Sequence, residues 1–211
     1  EEIGRNYTVE VGIQGDAKAS LAAMIKAASP GPDRADWLTE VQGMVARWKD
    51  SVEEHWNSDW SPLRPERICR ELSEHLPSDA ILVSDTGHSG VWTGTMLDLK
   101  HPTQSFIRCA GSLGWGLPAA LGAKCAAPDR PVLCFTGDGG IWYHISELET
   151  AMKENLHVVI LVNNNHSLNQ EKNAVESYEG QSAASDKQWL FPDADFAAIA
   201  RSMGAEGLTV D

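Results

Sequence analysis

Two short apolar runs frame the second half of the chain. Val132-Leu133-Cys134-Phe135 lies between Pro131 and the turn Gly137-Asp138-Gly139-Gly140, and His157-Val158-Val159-Ile160-Leu161-Val162 stops at Asn163-Asn164-Asn165. Neither run alternates with polar residues, so both read as strands covered on both faces, as in a parallel sheet. Between them, Ile145, Leu148, Ala151, Met152 and Leu156 recur at helical spacing, with Glu147, Glu149 and Glu154 on the other face. That spacing predicts one amphipathic helix over 141–156. Strand, glycine turn, helix and strand make a βαβ unit, whose right-handed crossover brings the carboxyl ends of neighbouring strands side by side. A third run, Ala80-Ile81-Leu82-Val83, ends at Asp85-Thr86-Gly87-His88. Three polar clusters thus fall at carboxyl ends of strands, where open α/β sheets bind their ligands. The expected fold class is α/β, a doubly wound and mainly parallel sheet flanked by helices.

The remaining pattern is less regular. Thr8 to Ile13 alternates like a strand, and Asp16 is placed to open a helix from Ala17 to about Ala28. Ser29-Pro30-Gly31-Pro32-Asp33 reads as a linker. Trp37, Val41, Met44, Val45, Trp48 and Val52 form a helical stripe that we read as packing between domains. Pro65 suits the first turn of a further helix. The segment Leu168 to Leu190 is polar and carries Tyr178 and Trp189; it is expected to be a loop bordering the site. No apolar run approaches the roughly 18–20 residues of a membrane span, and the first residues lack a signal-peptide pattern.

The residue types at the strand ends point to a hard cation. Magnesium takes oxygen ligands, one or two carboxylates among them, and fills its shell with phosphate, carbonyl and water oxygens. Asp138 and Asn165, one on each of two adjacent strand ends, suit that habit. Gly139 and Gly140 let backbone N–H groups approach an anion at the start of the next helix, so the turn suits a diphosphate with its metal. Taken alone, Asp-Gly is an ordinary turn and Asn an ordinary strand terminator; only the combined pattern favours a site. With 17 Lys+Arg against 30 Asp+Glu the formal net charge is −13, which excludes a basic nucleic-acid groove. It also leaves a metal and a helix dipole, in place of a basic cluster, to neutralise a diphosphate. Cys69, Cys109, Cys125 and Cys134 show no C-x-x-C spacing and read as reduced thiols of a cytoplasmic protein.

Gly137-Asp138-Gly139, Glu147-Leu148-x-Thr150-Ala151 and Asn164-Asn165 resemble the thiamine diphosphate-binding signature of the acetolactate synthase, pyruvate decarboxylase and benzoylformate decarboxylase family. Gly111-Ser112-Leu113-Gly114-Trp115-Gly116-Leu117-Pro118, continuing to Lys124, resembles the family's cofactor-clamping loop and helix, and Asp85-Thr86-Gly87-His88 its first cofactor loop. The resemblance covers about residues 61 to 211, the family's C-terminal diphosphate-binding domain. Residues 1–29 resemble the tail of the middle domain, leaving 30–60 as linker and interdomain helix.

The resemblance implies roles residue by residue. Asp138 and Asn165 would ligate Mg2+ through side chains and Ser167 through its main-chain oxygen. Gly137, Gly139 and Gly140 would line the diphosphate. Gly111 would offer its carbonyl to the aminopyrimidine beside Ser112, and Leu113 would be the apolar wedge that bends the cofactor. Asp85, Thr86 and Gly87 would border the cofactor, with His88 and Glu171 as candidates for contact with substrate or proton transfer. The family's site also needs a glutamate from an N-terminal domain of another subunit, so a homodimer or homotetramer is expected. The chain resembles a fragment, without that domain and ending where relatives continue. The parent enzyme would decarboxylate a 2-oxo acid and transfer the acyl unit, as acetolactate synthase does. Simple 2-oxo acid decarboxylation, an oxidase carrying FAD in its middle domain, and a catalytically silent assembly module are the other readings.

Overall fold

Four strands form one parallel sheet: β1 (Ile81–Ser84), β2 (Ser105–Arg108), β3 (Val132–Gly137) and β4 (Val159–Asn163). They lie in the order β2-β1-β3-β4. These strands belong to a computed structural model that describes residues 2–211, and the side chains of all of these but Ala183 and Ser185. The chain leaves β1 toward β2 and then returns past β1 to β3, so the winding reverses between β1 and β3. This is the switch point at which open α/β sheets leave a crevice at the strand ends. Register carries the crevice one strand further, since Gly137 stands opposite Asn163.

Burial explains why these segments are strands. Every residue of β1 is buried, as are Val132, Cys134, Phe135 and Thr136 of β3. On one face Ile81, Val83, Val132 and Cys134 pack with Ala120 of α5 (Gly116–Ala126). That helix turns Leu117 and Leu121 toward Ile141, Leu148 and Ala151 in a second cluster. On the opposite face α4 (His88–Met96) lies against β1 and β3, with Ser84 Oγ and Thr93 Oγ1 2.6 Å apart. Phe135, Leu82 and Val83 have at most trace exposure, and each such side chain contributes about 1.5–3 kcal/mol relative to an exposed one. The α/β expectation is met, with helices on both faces.

Several local expectations need correction. The single helix over 141–156 is two: α6 (Asp138–His144) and α7 (Glu147–Lys153). At the junction the backbone stays right-handed, but Leu148 N and Glu149 N donate three residues back, to Ile145 O and Ser146 O. The turn therefore tightens without any helix-breaking residue to announce it. The expected loop 168–190 holds α8 (Asn169–Glu179) and α9 (Ala183–Trp189). No buried residue lies in α8, which is pinned by Lys172 between Glu176 (2.5 Å) and Asp186 (3.1 Å); ion pairing replaces the apolar stripe that would have marked a helix. β2 and α4, which no sequence pattern predicted, complete the sheet.

By backbone contacts the chain divides into two compact units, one ending at Asp50 and one spanning Ser51–Asp211. The division falls between the expected boundaries at 29/30 and 60/61. In the first unit the expected strand at Thr8–Ile13 does not form, and Val9, Val11 and Ile13 are exposed. An alternating segment becomes a strand only where another strand offers its backbone, and the described residues of this unit provide none. α1 (Ala17–Ala27) forms as expected, with Asp16 Oδ1 accepting from Ala19 N at 2.9 Å. α2 (Ala35–Trp56) carries the tryptophan stripe; Trp37, Met44, Val45 and Trp48 are exposed, while Val52 and Trp56 are buried. In the second unit α3 (Pro65–His75) begins with Pro65 in its first turn, and α10 (Phe196–Ser202) follows β4 and the α8–α9 pair.

Candidate functional site

Asp138 is the first residue after β3 and is 3% exposed. Its Oδ1 accepts from Gly139 N at 2.8 Å and its Oδ2 from Ser167 N at 3.0 Å. The second bond joins the end of β3 to the chain leaving β4, as the βαβ reading requires. Burial pushes the Asp138 carboxyl above its ordinary value, against the two backbone donors and His166, which act the other way. A carboxylate that loses water and receives only two amide hydrogens remains short of positive charge.

Asp138, Asn165 and Ser167 line one small cavity of about 50 Å3, together with Gly137, Gly139 and Gly140. Thr86, Gly87 and His88 enter it from the end of β1, Leu113 from the loop before α5, and Glu171 from the first turn of α8. Asn165 and Glu171 are exposed, His88 and Leu113 half-buried. The His88 ring lies tilted to Trp92 with centroids 6.2 Å apart. Gly87 has φ +72° and ψ −151°, a conformation for which a β-carbon is unfavourable, and it lets the chain turn from β1 into α4. No lysine or arginine lines the cavity.

Three residues of the expected cofactor set are not part of this lining. Asp85 is 1% exposed, its oxygens occupied by Thr86 N, Gly114 N, Gly116 N and Thr136 Oγ1. Gly111 and Ser112 are exposed and outside the lining. Gly139 and Gly140 are required by packing as much as by any ligand. A β-carbon on Gly139 would collide with Leu168, and one on Gly140 would stand 2.8 Å from Thr136 Oγ1. The sequence reading missed Ser89 and Asn163 of the lining, while Leu168, Asn169 and Gln170 fall in the segment 168–190 that it expected to border the site. Asn163, the first of the three asparagines, carried a signal.

The donor set suits a hard divalent ion. Among the described residues no group of three or more His, Cys, Asp or Glu side chains could hold a metal, so a soft or zinc-type site is not built here. One carboxylate beside an amide oxygen and main-chain carbonyls is the set magnesium accepts while keeping water and phosphate oxygens. Ser167 Oγ is buried without a hydrogen-bond partner, a further polar atom facing an unmet demand. All four cysteines are free, and burial pushes the Cys69 and Cys134 thiols up to about 12, so these two serve as apolar packing. Among the described residues no helix is long and apolar enough to cross a membrane.

Comparison with known proteins agrees with this geometry. Residues 85–211 match the family described as thiamine pyrophosphate enzyme, C-terminal TPP binding domain. The chain is 33% identical over 215 residues to the acetolactate synthase large subunit of Parasynechococcus marenigrum (strain WH8102), with 99% of this chain and 33% of the relative covered. It is 30% identical over 232 residues to the sulfoacetaldehyde acetyltransferase of Castellaniella defragrans, with 99% and 38% covered. Acetolactate synthase isozyme 1 large subunit of Escherichia coli (strain K12) is 33% identical over 168 residues, with 79% and 29% covered. The chain thus spans 29–38% of the length of these relatives. With the matched region running from the end of β1 through all three polar strand ends, the chain belongs to the thiamine pyrophosphate enzymes, by their C-terminal cofactor-binding domain.

Proposed function

We propose that the crevice between β1, β3 and β4 holds the diphosphate of thiamine diphosphate through Mg2+. The Asp138 carboxylate, the Asn165 amide oxygen and the Ser167 main-chain oxygen are the protein ligands. The observation that carries this reading is Asp138 itself, a carboxylate buried to 3% exposure in a cavity with no lysine or arginine among its described lining residues, beside Asn165 and Ser167. The backbone of Gly137, Gly139 and Gly140 passes close to the diphosphate, and Leu113 supports the cofactor from the opposite wall. At the rim α8 contributes Asn169, Gln170 and Glu171.

When bound, the cofactor supplies an electron sink for breaking or making a bond beside the carbonyl of a 2-oxo acid. The chain's own residues anchor and orient it, and His88 and Glu171 stand at the rim where a proton could be delivered to substrate. For the whole protein we favour decarboxylation of a 2-oxo acid followed by transfer of the acyl unit, as the name acetolactate synthase describes for two of the relatives. The similarity to a sulfoacetaldehyde acetyltransferase supports a second reading, acyl transfer to a different acceptor. Simple decarboxylation and flavin-linked oxidation have no observation of their own. We further propose a cytoplasmic homodimer or homotetramer whose site is completed by an N-terminal domain of another subunit.

Calorimetry on the full-length protein tests the cofactor reading. Thiamine diphosphate should bind in the presence of Mg2+ and not after chelation, and Asp138→Ala should abolish the Mg2+-dependent part while leaving the far-UV spectrum unchanged. Binding indifferent to Mg2+ would rule out the metal bridge. Product analysis with pyruvate, with and without a second carbonyl acceptor, separates acyl transfer from simple decarboxylation.

A further inference from the structure

Asp85 is a buried carboxylate with four hydrogen-bond donors, and it is not among the residues that line the cavity. Its Oδ1 accepts from Thr86 N at 2.7 Å and Gly114 N at 3.0 Å, its Oδ2 from Gly116 N at 3.1 Å and Thr136 Oγ1 at 3.1 Å. Two glycines make room for it. A β-carbon on Gly116 would stand 2.9 Å from Oδ2, and one on Gly140 would stand 3.0 Å from the same oxygen. Gly140, read from sequence as a diphosphate glycine, is thus also a glycine because of Asp85.

The segment 111–116 is tethered on both sides of Leu113. Gly111 N donates to Thr86 Oγ1 at 3.1 Å, and Gly114 N and Gly116 N donate to Asp85. His144 Nδ1 lies 2.8 Å from Gly114 O; a carbonyl only accepts, so that nitrogen carries the proton. Gly114 has φ +85°, and a β-carbon there would stand 2.5 Å from Tyr143 Cβ, so the loop also sits tightly against α6. Leu113 is the residue of this segment that lines the cavity.

We infer that Asp85 is a positioning residue: its buried carboxylate fixes the 111–116 loop, and through it Leu113, against the cofactor cavity without touching the cofactor. The functional half of this inference rests on the cofactor reading above; the mechanical half does not. Asparagine cannot substitute. It offers one acceptor oxygen, and its NH2 group would face the N–H of Gly114 or Gly116, donor against donor.

Hydrogen exchange on the ligand-free full-length protein is the direct test. In Asp85→Asn, amides of 111–116 should exchange about tenfold faster or more, the effect of losing a charge-assisted hydrogen bond, while β4 and α7 keep wild-type rates. With Mg2+ and thiamine diphosphate present, kcat should fall about tenfold while the Mg2+ requirement moves less than about twofold, because Asp138 is intact. Should Asp85→Asn fail to fold, Thr136→Val removes the side-chain donor to Oδ2, together with the longer 3.3 Å contact to Gly137 O, with little change of shape. It should quicken the same loop. Unchanged loop exchange in the folded variant, or acceleration spread evenly over the sheet, overturns the inference. Failure of the wild type to bind thiamine diphosphate with Mg2+ would instead overturn the cofactor reading and leave the exchange result standing.

Discussion

Asp138 decides the electrostatics of the site, and the direction of its pKa shift fixes the sign of two pH effects. Burial raises the carboxyl above its ordinary 3.8 in the folded state. The folded protein therefore holds a proton over a pH range in which the unfolded chain has released it. The associated stability is fully present below the unfolded value and is lost as pH rises through the folded one. Metal-free protein should accordingly lose stability across the range just above 3.8, and Asp138→Asn should remove that part of the pH dependence, measured by urea midpoints at several pH values. Mg2+ affinity should run in the opposite sense, weakening as pH falls through the raised value because a proton competes for the carboxylate. If Asp138→Asn leaves the pH profile of the metal-free protein unchanged, the burial argument fails. The neighbouring glycine carries a different expectation. Gly139→Ala drives a β-carbon into the Leu168 side chain, which must shift, with Phe191 Cε2 3.4 Å away. Overpacking of this kind costs about 1–3 kcal/mol, to be read as a lower denaturation midpoint with an unchanged m-value.

At the scale of elements, α8 lines the cavity with Asn169, Gln170 and Glu171, and its Lys172, paired with Glu176 on the same helix, reaches Asp186 of α9 and holds the two helices together. Lys172→Met should raise the rate of limited proteolysis between Leu168 and Leu190 and leave cleavage elsewhere unchanged; bound thiamine diphosphate with Mg2+ should restore protection. Equal cleavage in both proteins would show that the ion cluster does not hold the pair. Sequence made this pair hard to see because charges in a polar segment look alike in a loop and in a helix. β3 and β4 were legible as continuous apolar runs, but the cover on both faces that such runs predict holds for β3 alone; β4 lies at the sheet edge with Val159 exposed and its other residues half-buried. β2 was not legible, since its four residues alternate between half-buried and exposed at the sheet edge. The α6–α7 break leaves no mark, as Ile145 and Ser146 keep helical dihedrals while their hydrogen bonds shorten by one residue. Thr8–Ile13 misled in the opposite way, having a strand's pattern and no strand to pair with. The proposed cation ligands were chosen from their chemistry and from strand adjacency, and the structure brings Asp138, Asn165 and Ser167 to one cavity. Asp85 was readable as a site residue but not as a brace, because three of its four donors are backbone N–H groups that a sequence of side chains does not display.

For the whole molecule, the distribution of charge makes cofactor and metal depend on each other. The chain has a formal net charge of −13, and no lysine or arginine lines the cavity. A diphosphate approaching Asp138 without a cation meets a like charge in a partly desolvated place, which opposes binding. Mg2+ alone finds the buried Asp138 carboxylate and neutral oxygens, with the Glu171 carboxylate exposed to water, too few ligands to offset its dehydration. Each should therefore bind weakly by itself and both strongly together. A ligand that binds only the folded state stabilises it by about 2.7 kcal/mol at one hundred times its dissociation constant. For a unit of this size, that amounts to a rise of roughly 5–10 °C in melting temperature. Thermal unfolding of the full-length protein should show a rise with thiamine diphosphate and Mg2+ together, smaller than this figure if a longer chain melts as one unit, and little with either alone. Asp138→Ala should erase the joint effect. A rise of the same size with thiamine diphosphate in the presence of a chelator would mean that positive charge reaches the diphosphate from outside this cavity.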